Sequence, residues 1–254
     1  VISAIGEAQV SVLLDRLEDR AGITAHTVAL KIPYRETIRR VASAQGRHKK
    51  QTGGAGQYGD CWLRIEPNPG AGYEFVDEVV GGHIPRGFIP AIDKGVQETM
   101  REGVLAGYPM IDVKCAVYEG SYHPVDSNEM AFKTAARIGF QKAVAQAEPV
   151  LLEPMAHLRI TVPESYAGSV MGDVSASRGR VEGMEAGTGA AAGETTVVAT
   201  IPYAEVTDYA TRLRSLSRGT GEFEMEISGY EQVPHDIQQR LAEEYAARRA
   251  AGEK

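Results

Sequence analysis

Residues 155–186 read MAHLRITVPESYAGSVMGDVSASRGRVEGMEA and contain a strand, a helix and a second strand. Apolar residues alternate in MAHLRITV, which is typical of a half-buried strand. The helix follows Pro163, and GRVEGMEA returns as a strand. The glycine-rich segment 187–193 then leads into the strand ETTVVATIP, the helix YAEVTDYATRLRSLS (203–217) and the strand EFEMEISGY. The order βαββαβ predicts a ferredoxin-like domain.

Residues 34–148 predict a second α/β unit upstream of this domain. ETIRRVASAQ and CWLRIE are strand-like, and the turn cluster PNPGAG precedes YEFVDEVV, so we expect a hairpin over residues 61–80. A helix carries Ile89, Ile92, Val96 and Met100 at helical spacing, and residues 110–120 alternate as a strand. Asp126 and Glu129 form a capping box for a long helix that ends near Gln146.

The first residues of the chain predict a helix followed by a strand, and the last residues predict one more helix. Val10, Leu13, Leu14 and Leu17 form a helical stripe that Gly22 ends, and ITAHTVALKI then alternates as a strand. Because one helix and one strand cannot bury such a stripe alone, we expect a fragment of a longer protein. A final helix is predicted over 236–249. The fold class is therefore α+β with several domains.

Composition excludes some functional classes. The chain has 254 residues, 43% hydrophobic and 24% charged, with a net charge of −7. No apolar run approaches the roughly 20 residues of a spanning helix, and no signal-peptide pattern is present, so we expect a cytoplasmic protein. Cys61 and Cys115 lie singly in apolar stretches, which predicts two reduced, buried thiols. The acidic balance argues against general coating of nucleic acid, but residues 31–50 hold a local basic run.

The segment GAGQYG (54–59) satisfies the pattern of a dinucleotide-binding turn. That motif needs a strand before it and a helix after it, whereas here a basic run precedes it and a strand follows. Two interpretations remain: a hairpin loop whose glycines adopt positive φ, or a loop whose backbone approaches a polyanion while Lys49 and Lys50 contact phosphates.

The loop GSYHPVDSNE (120–129) brings together Ser121, His123 and Asp126. Three such residues within six positions rarely reach the geometry of a catalytic triad, and their spacing matches no established metal site. We expect Asp126 to cap the following helix and His123 to be an exposed contact residue that can hydrogen-bond to or stack on a base.

Several motifs, taken in order, resemble the C-terminal part of elongation factor G. They are YRETIRR, RHKKQTGGAGQYGD, GGHIPRGFIPAIDKGVQE, LAGYPMIDV, GSYHPVDSNEMAFKTAA, EPVLLEPM, GDVSASRG and YATRLRSLSRG. The resemblance implies four parts: residues 1–33 as the second half of a domain III-like unit, 34–148 as domain IV, 149–234 as domain V, and 235–254 as a C-terminal helix. It also implies an S5-domain-2-like fold with a left-handed βαβ crossover for domain IV.

The family implies a function. Its members are translational GTPases that move tRNAs and mRNA through the ribosome, and domain IV enters the decoding region of the small subunit. This chain would then be non-catalytic and monomeric in the cytoplasm, with GTP and Mg²⁺ bound by an N-terminal part of the protein. Domain V would contact large-subunit rRNA. The residues implied in RNA contact are Lys49, Lys50, Gly53, Gly54, Gly56, Gln57, Tyr58, Ser121, Tyr122, His123, Asp126, Arg178, Arg214 and Arg218.

Three departures from the family pattern leave alternatives open. Ala55 stands where members usually carry arginine, Pro124 where they usually carry an acidic residue, and the domain V arginine run is thinned to Ala176-Ser177-Arg178. Fewer cations would weaken salt-sensitive RNA binding. The chain could therefore come from a divergent paralogue that acts in ribosome recycling or rescue. A third interpretation, a small-molecule enzyme on an S5-like fold, lacks a phosphate loop that opens a helix.

Overall fold

The computed structural model describes residues 7–24, 31–51, 56–188 and 192–252. It divides into two compact units: unit I contains residues 34–152 and 232–254, and unit II contains residues 1–33 and 153–231. Each unit has its own apolar core. The four-part division implied by the family resemblance stays a prediction.

The sheet of unit I has the strand order β2-β3-β5-β4. Strands β2 (Ala42–Lys50) and β3 (Gln57–Pro67) form an antiparallel hairpin, and β5 (Val113–Ser121) pairs antiparallel with the other side of β3. Strand β4 (Glu74–Asp77) pairs parallel with β5. The predicted hairpin over 61–80 is therefore wrong: the turn after β3 is present, but β5 lies between β3 and β4.

Two helices pack on this sheet. Helix α2 (Ile89–Glu102) connects β4 to β5, and helix α3 (Glu129–Gln146) precedes unit II, both close to the predicted ranges. Helix α3 approaches the sheet backbone at Gly46 and Gly59: a Cβ atom on Gly46 would meet the backbone of Ala135 and Gly139, and one on Gly59 the backbone of Ala131. Glycine is needed at both positions because any larger residue would push α3 off the sheet. The largest fully buried core side chains include Leu63, Ile65, Ile92, Phe132 and Phe140.

A buried carboxylate holds the segment after α2. Glu36 is 0% exposed and lies in strand β1 (Arg35–Ile38). Its Oε2 accepts hydrogen bonds from the amides of Val104 and Leu105 at 2.7 and 2.9 Å, and its Oε1 those of Ala106 and Tyr108 at 2.8 and 3.0 Å. Four backbone donors thus replace the water that the carboxylate loses on burial.

The cap of α3 differs from the expectation. Asn128, not Asp126, is the N-cap residue, and its side chain accepts a hydrogen bond from the amide of Ala131 at 2.8 Å. The capping box of Asp126 and Glu129 is therefore wrong. Asp126 lies two residues before the N-cap, and its carboxylate lies against Gly56 instead.

Unit II has the predicted βαββαβ order. Strands β9 (Glu222–Gln232), β6 (Pro149–Pro163), β8 (Glu194–Pro202) and β7 (Arg180–Ala186) lie side by side in that order. Helices α4 (Glu164–Ala176) and α5 (Tyr209–Leu216) provide Val170, Val174 and Leu213 to a core shared with Leu158 and Ile201. The predicted helix over 203–217 is shorter than expected, because a 3₁₀ turn at Tyr203–Glu205 precedes α5. Two sheets with packed helices confirm the α+β class.

The remaining elements lie at the ends. Helix α1 (Glu7–Ala21) ends at Gly22 as predicted, while the strand predicted over 23–32 falls largely on 25–30, outside the described residues. Strand β1 pairs with the first four residues of β6. Helix α6 (His235–Ala250) belongs to unit I, where Gln238 accepts a hydrogen bond from the amide of Leu151 at 2.9 Å. No helix in the described ranges is long and apolar enough to cross a membrane.

Candidate functional site

Two loops meet at one end of unit I, and Tyr58 joins them. The amide of Tyr58, at the start of β3, donates to the carbonyl of Asp126 at 2.8 Å. In return the hydroxyl of Ser127 donates to the carbonyl of Tyr58 at 2.9 Å. The loop 122–128 is therefore fixed to the base of the β2–β3 loop. We call this end of the unit, residues 47–51, 56–58 and 121–128, the tip.

The loop that carries His123 is closed on itself. The amide of Ser127 donates to the carbonyl of His123 at 3.1 Å, and the amide of His123 donates to Ser127 Oγ at 2.9 Å. His123 Nδ1 accepts from the amides of Val125 and Asp126 at 3.3 and 3.1 Å. Because Nδ1 is an acceptor, the neutral ring carries its hydrogen on Nε2. The His123 side chain is 52% exposed.

Asp126 and Gly56 are in contact across the two loops. A Cβ atom on Gly56 would lie 2.5 Å from the carboxyl carbon of Asp126, so only glycine fits beside this side chain as it stands. Asp126 Oδ2 also lies 3.5 Å from His123 Nδ1. The carboxylate, whose side chain is 24% exposed, therefore lies against both loops.

A hydrogen-bonded chain runs beneath the tip. Ser121 Oγ donates to Asp60 Oδ2 at 2.6 Å, and the Tyr58 hydroxyl lies 2.7 Å from Ser121 Oγ. Since a serine hydroxyl has one hydrogen, Tyr58 must be the donor to Ser121. Gln45 Nε2 donates to the other oxygen, Asp60 Oδ1, at 2.8 Å. Ser121 is therefore bound to Tyr58 and Asp60, not to His123, and the catalytic triad that the sequence could suggest is not formed.

Basic side chains flank the tip. Lys49 and Lys50 are exposed at the end of β2, and the Arg47 guanidinium lies 5.7 Å from the centre of the Tyr58 ring. Gln57 Oε1 lies 2.8 Å from His48 Nε2, which holds that side chain along the hairpin. Within the described ranges none of the three cations has an acidic partner at ion-pair distance. Gly53 and Gly54, the remaining predicted loop contacts, lie outside the described residues.

The tip also exposes apolar side chains. Tyr122 is 46% exposed, Val125 84% and Met130 60%. Scattered exposed apolar residues are ordinary, but three on one loop and the helix start beside it suit a contact surface. In the part of the chain that the structure describes, no three His, Cys, Asp or Glu side chains group as metal ligands.

Arg178 in unit II is held by acidic residues. Its NH1 and NH2 lie 2.6 and 3.0 Å from the two carboxylate oxygens of Glu153, whose side chain is 3% exposed, and its Nε lies 3.3 Å from Glu205. The hydrogen bonds to Glu153 raise the pKa of the guanidinium above its ordinary value. The structure thus gives Arg178 a clear structural role, and its proposed contact with RNA stays a prediction.

Arg178 and Arg218 occupy the same kind of turn. Each follows a helix with positive φ, 56° and 52°, and each is followed by glycine. The amide of Gly179 donates to the carbonyl of Val174 at 2.9 Å, and that of Gly219 to the carbonyl of Arg214 at 2.8 Å, which is the Schellman pattern. Arg214 and Arg218 are both exposed and have no ion pair within the described residues.

Sequence reasoning missed several positioning residues. Ser127, Asp60 and Arg212 were not singled out, although each holds a site element. Arg212 NH2 contacts Ser177 Oγ at 3.0 Å and Asp173 at 3.4 Å, and so joins α5 to the end of α4. Asp60 could have been identified because it is an acidic residue directly before the apolar strand CWLRIE, where a carboxylate needs hydrogen-bond partners.

Two models of known protein families match most of the chain. A model of elongation factor G, domain IV, matches residues 30–148, and a model of the elongation factor G C-terminus matches residues 150–241. The chain belongs to the elongation factor G family. The resemblance inferred from the sequence motifs is thereby confirmed, and both tip loops lie in domain IV of that family.

A solved structure agrees with this assignment. The crystal structure of a protein from Thermus thermophilus is 43% identical to this chain, covers 95% of it and superposes with a TM-score of 0.83. The match takes in 36% of that protein's chain, so this elongation factor G-like chain spans about a third of its length.

Proposed function

We propose that this chain is the ribosome-binding part of an elongation factor G-like translational GTPase, with domain IV as the wedge that moves tRNA and mRNA through the small-subunit decoding region. The observation that carries the proposal is the double hydrogen-bonded link between Tyr58 and residues Asp126 and Ser127. It makes two loops from distant parts of the chain into one preformed surface. A wedge must keep its shape under load, and this link provides that property.

The chemistry of the surface suits RNA. His123 exposes half of its side chain and can donate through Nε2, and Lys49 and Lys50 offer charges to phosphates. In unit II, Arg214 and Arg218 are the exposed cations proposed to contact large-subunit rRNA. GTP and Mg²⁺ would be bound by a part of the protein outside this chain. We further propose that the protein acts as a monomer in the cytoplasm.

Binding to purified small ribosomal subunits at low and moderate salt tests the proposal. We expect saturable binding that salt weakens, because each phosphate contact releases counterions. Replacing Lys49, Lys50 and His123 together by alanine should weaken binding at least tenfold. The control is Arg101→Ala with Arg248→Ala, two exposed cations near the C-terminal ends of α2 and α6, which should leave binding unchanged. Unchanged affinity of the triple variant in this chain and in the full-length protein would overturn the proposal.

The second candidate function is ribosome recycling or rescue. Pro124 motivates it, because this exposed tip residue stands where the family usually carries an acidic one. Proline fixes φ and so preserves the turn while the charge is lost. Single-turnover tRNA movement by the full-length protein separates the two: efficient translocation supports the first candidate, and subunit splitting without translocation supports the second.

A further inference from the structure

The sheet of unit I has one face that α3 does not cover. Helix α3 lies against Gly46 of β2 and Gly59 of β3, so the residues that alternate with these glycines point the opposite way. The strand register places Lys49 opposite Tyr58, and Gln45 opposite Trp62. We call this surface the open face; it consists of Ser43, Gln45, Arg47 and Lys49 from β2, Tyr58, Asp60, Trp62 and Arg64 from β3, and Tyr118, Glu119 and Ser121 from β5.

Two aromatic rings lie at the centre of the open face. The ring centroids of Trp62 and Tyr118 are 6.4 Å apart with an interplanar angle of 48°. A bulge places Tyr118 there, because the pairing passes from Trp62–Glu119 to Leu63–Val117 and leaves Tyr118 without a partner in the ladder. Both rings are half-buried and neither belongs to the apolar core under the helices. They therefore offer an accessible aromatic surface.

Two cations, Arg47 and Lys49, lie on the half of the open face nearest the tip. Arg47 and Lys49 have no acidic partner at ion-pair distance among the described residues. Two carboxylates share this half, and both have partners. Asp60, opposite Arg47, is 7% exposed and its two oxygens accept from Gln45 and Ser121. Glu119, opposite Trp62, lies 2.7 Å from His83 Nδ1. The far half is neutralised instead, since Arg64 is bidentate with Glu78 at 2.8 and 3.0 Å.

We propose that the open face binds unpaired RNA, with a base stacked on Trp62 and Tyr118 and the neighbouring phosphates on Arg47 and Lys49. Lys49 lies four positions along β2 from Gln45, the partner of Trp62, which is a distance of about 13 Å. Cations next to accessible aromatic rings are the combination by which proteins hold single strands. A duplex does not fit this chemistry, because its bases are stacked on one another and present no free face.

This inference rests on the proposed function, since it extends the RNA contact from the tip loops to the sheet. Trp62 is the only tryptophan in the chain, so its fluorescence reports on this face alone. The experiment titrates the full chain with an unstructured single-stranded RNA octamer. We expect saturable quenching of Trp62 that weakens with salt, and markedly less quenching by a duplex of the same length.

Substitutions on the open face test whether the octamer binds there. The affinity of each variant is measured from the fluorescence anisotropy of a labelled octamer. Trp62→Ala should weaken binding about tenfold, whereas Trp62→Phe, which keeps a ring, should change it much less. Arg47→Ala with Lys49→Ala should lower the slope of log K against log salt by about 1.4, at about 0.7 for each phosphate contact. The charge-matched control Arg101→Ala with Arg248→Ala should keep the slope. Thermal unfolding of each variant verifies that the unit remains folded.

The outcomes separate the two proposals. Ribosomal binding that depends on the tip residues, combined with no quenching by the octamer, would overturn the open-face inference and leave the proposed function standing. Quenching that is equal with the duplex, or octamer affinity that Trp62→Ala does not change, would also overturn it. If the unmodified protein binds neither the octamer nor the ribosomal subunits, both the open-face inference and the proposed function are wrong.

Discussion

Arg178 binds both carboxylate oxygens of the buried Glu153, although its own backbone is in the left-handed region with φ of 56°. A non-glycine residue there is strained by about 1 kcal/mol. Arg218 shares this strain at φ of 52° without an acidic partner among the described residues. One arginine thus supports the interior of unit II, and the other holds a strained position while its side chain faces solvent.

Glycine at these two positions should have opposite effects on stability. Arg178→Gly removes the strain but leaves the Glu153 carboxylate buried and unpaired, so we expect a net loss of roughly 2 kcal/mol in the free energy of unfolding. Arg218→Gly removes strain alone and should gain about 0.5 kcal/mol. Urea unfolding followed by circular dichroism measures both. Equal changes in the two variants would show that the Glu153 pair contributes nothing.

Glu36→Gln should destabilise unit I by about 3 kcal/mol. The substitution keeps the shape of the side chain but replaces one carboxylate oxygen by an NH₂ group. Backbone amides that donate to this oxygen in the unmodified protein would then face another hydrogen-bond donor. Urea unfolding followed by Trp62 fluorescence reports on this unit. Glu74→Gln is the control, because its exposed pair with Lys114 at 3.1 Å should contribute less than about 1 kcal/mol. A loss no larger than the control's would refute the anchoring role of Glu36.

Ser127→Ala should loosen the tip. It removes the bond to the Tyr58 carbonyl and the acceptor of the His123 amide, so we expect a loss of about 1–2 kcal/mol and faster hydrogen exchange at the Tyr58 amide. Nuclear magnetic resonance detects exchange residue by residue. The exposed Ser43 is the matched control, and Ser43→Ala should leave the exchange rate of Tyr58 unchanged. Unchanged protection in Ser127→Ala would mean that the Tyr58–Asp126 bond alone fixes the loops.

The two thiols should be unreactive in the folded protein. Burial raises the pKa of Cys61 from its ordinary value of 9.0 to about 12, and burial also raises the pKa of Cys115. A maleimide at pH 8 should therefore label neither until urea is added. Rapid labelling of the native chain would contradict this burial.

The same shift makes stability depend on pH in the alkaline range. Above pH 9 the unfolded Cys61 ionises while the folded thiol stays protonated, so the folded state binds more protons and stability falls between pH 9 and about 12. Cys61→Ala should make this fall less steep. Urea midpoints measured at several pH values test the sign, and an equally steep fall in the variant would exclude Cys61 as its source.

The elements whose pattern is local were predictable. The spacing of Ile89, Ile92, Val96 and Met100 identifies α2, and ETTVVATIP matches β8 to the residue. The family motifs were sufficient to place the tip loops in one domain. The residues that determine each of these features lie within one helix or strand, or within one ordered set of motifs. Periodicity or family resemblance was therefore sufficient to predict them.

Features set by distant contacts were not predictable. The turn PNPGAG indicates that the chain reverses direction. Nothing in the local sequence shows that β5 pairs with β3, so that β4 pairs with β5 and not with β3. Asp126 and Asn128 are both good caps by type, but in the structure Asn128 accepts from the amide of Ala131 while Asp126 lies against Gly56, on a distant strand. The pair of Arg178 and Glu153 likewise joins residues 25 positions apart.

The Glu36 carboxylate and the amides it binds are 68 to 72 positions apart in the chain. During synthesis the acid is made first and must remain hydrated until the segment after α2 has left the ribosome. Because such distant contacts form late and slowly, closure of this loop is expected among the last steps by which the unit folds. Defects at Glu36 should therefore also appear as slow maturation of newly made protein, before any loss is measured at equilibrium.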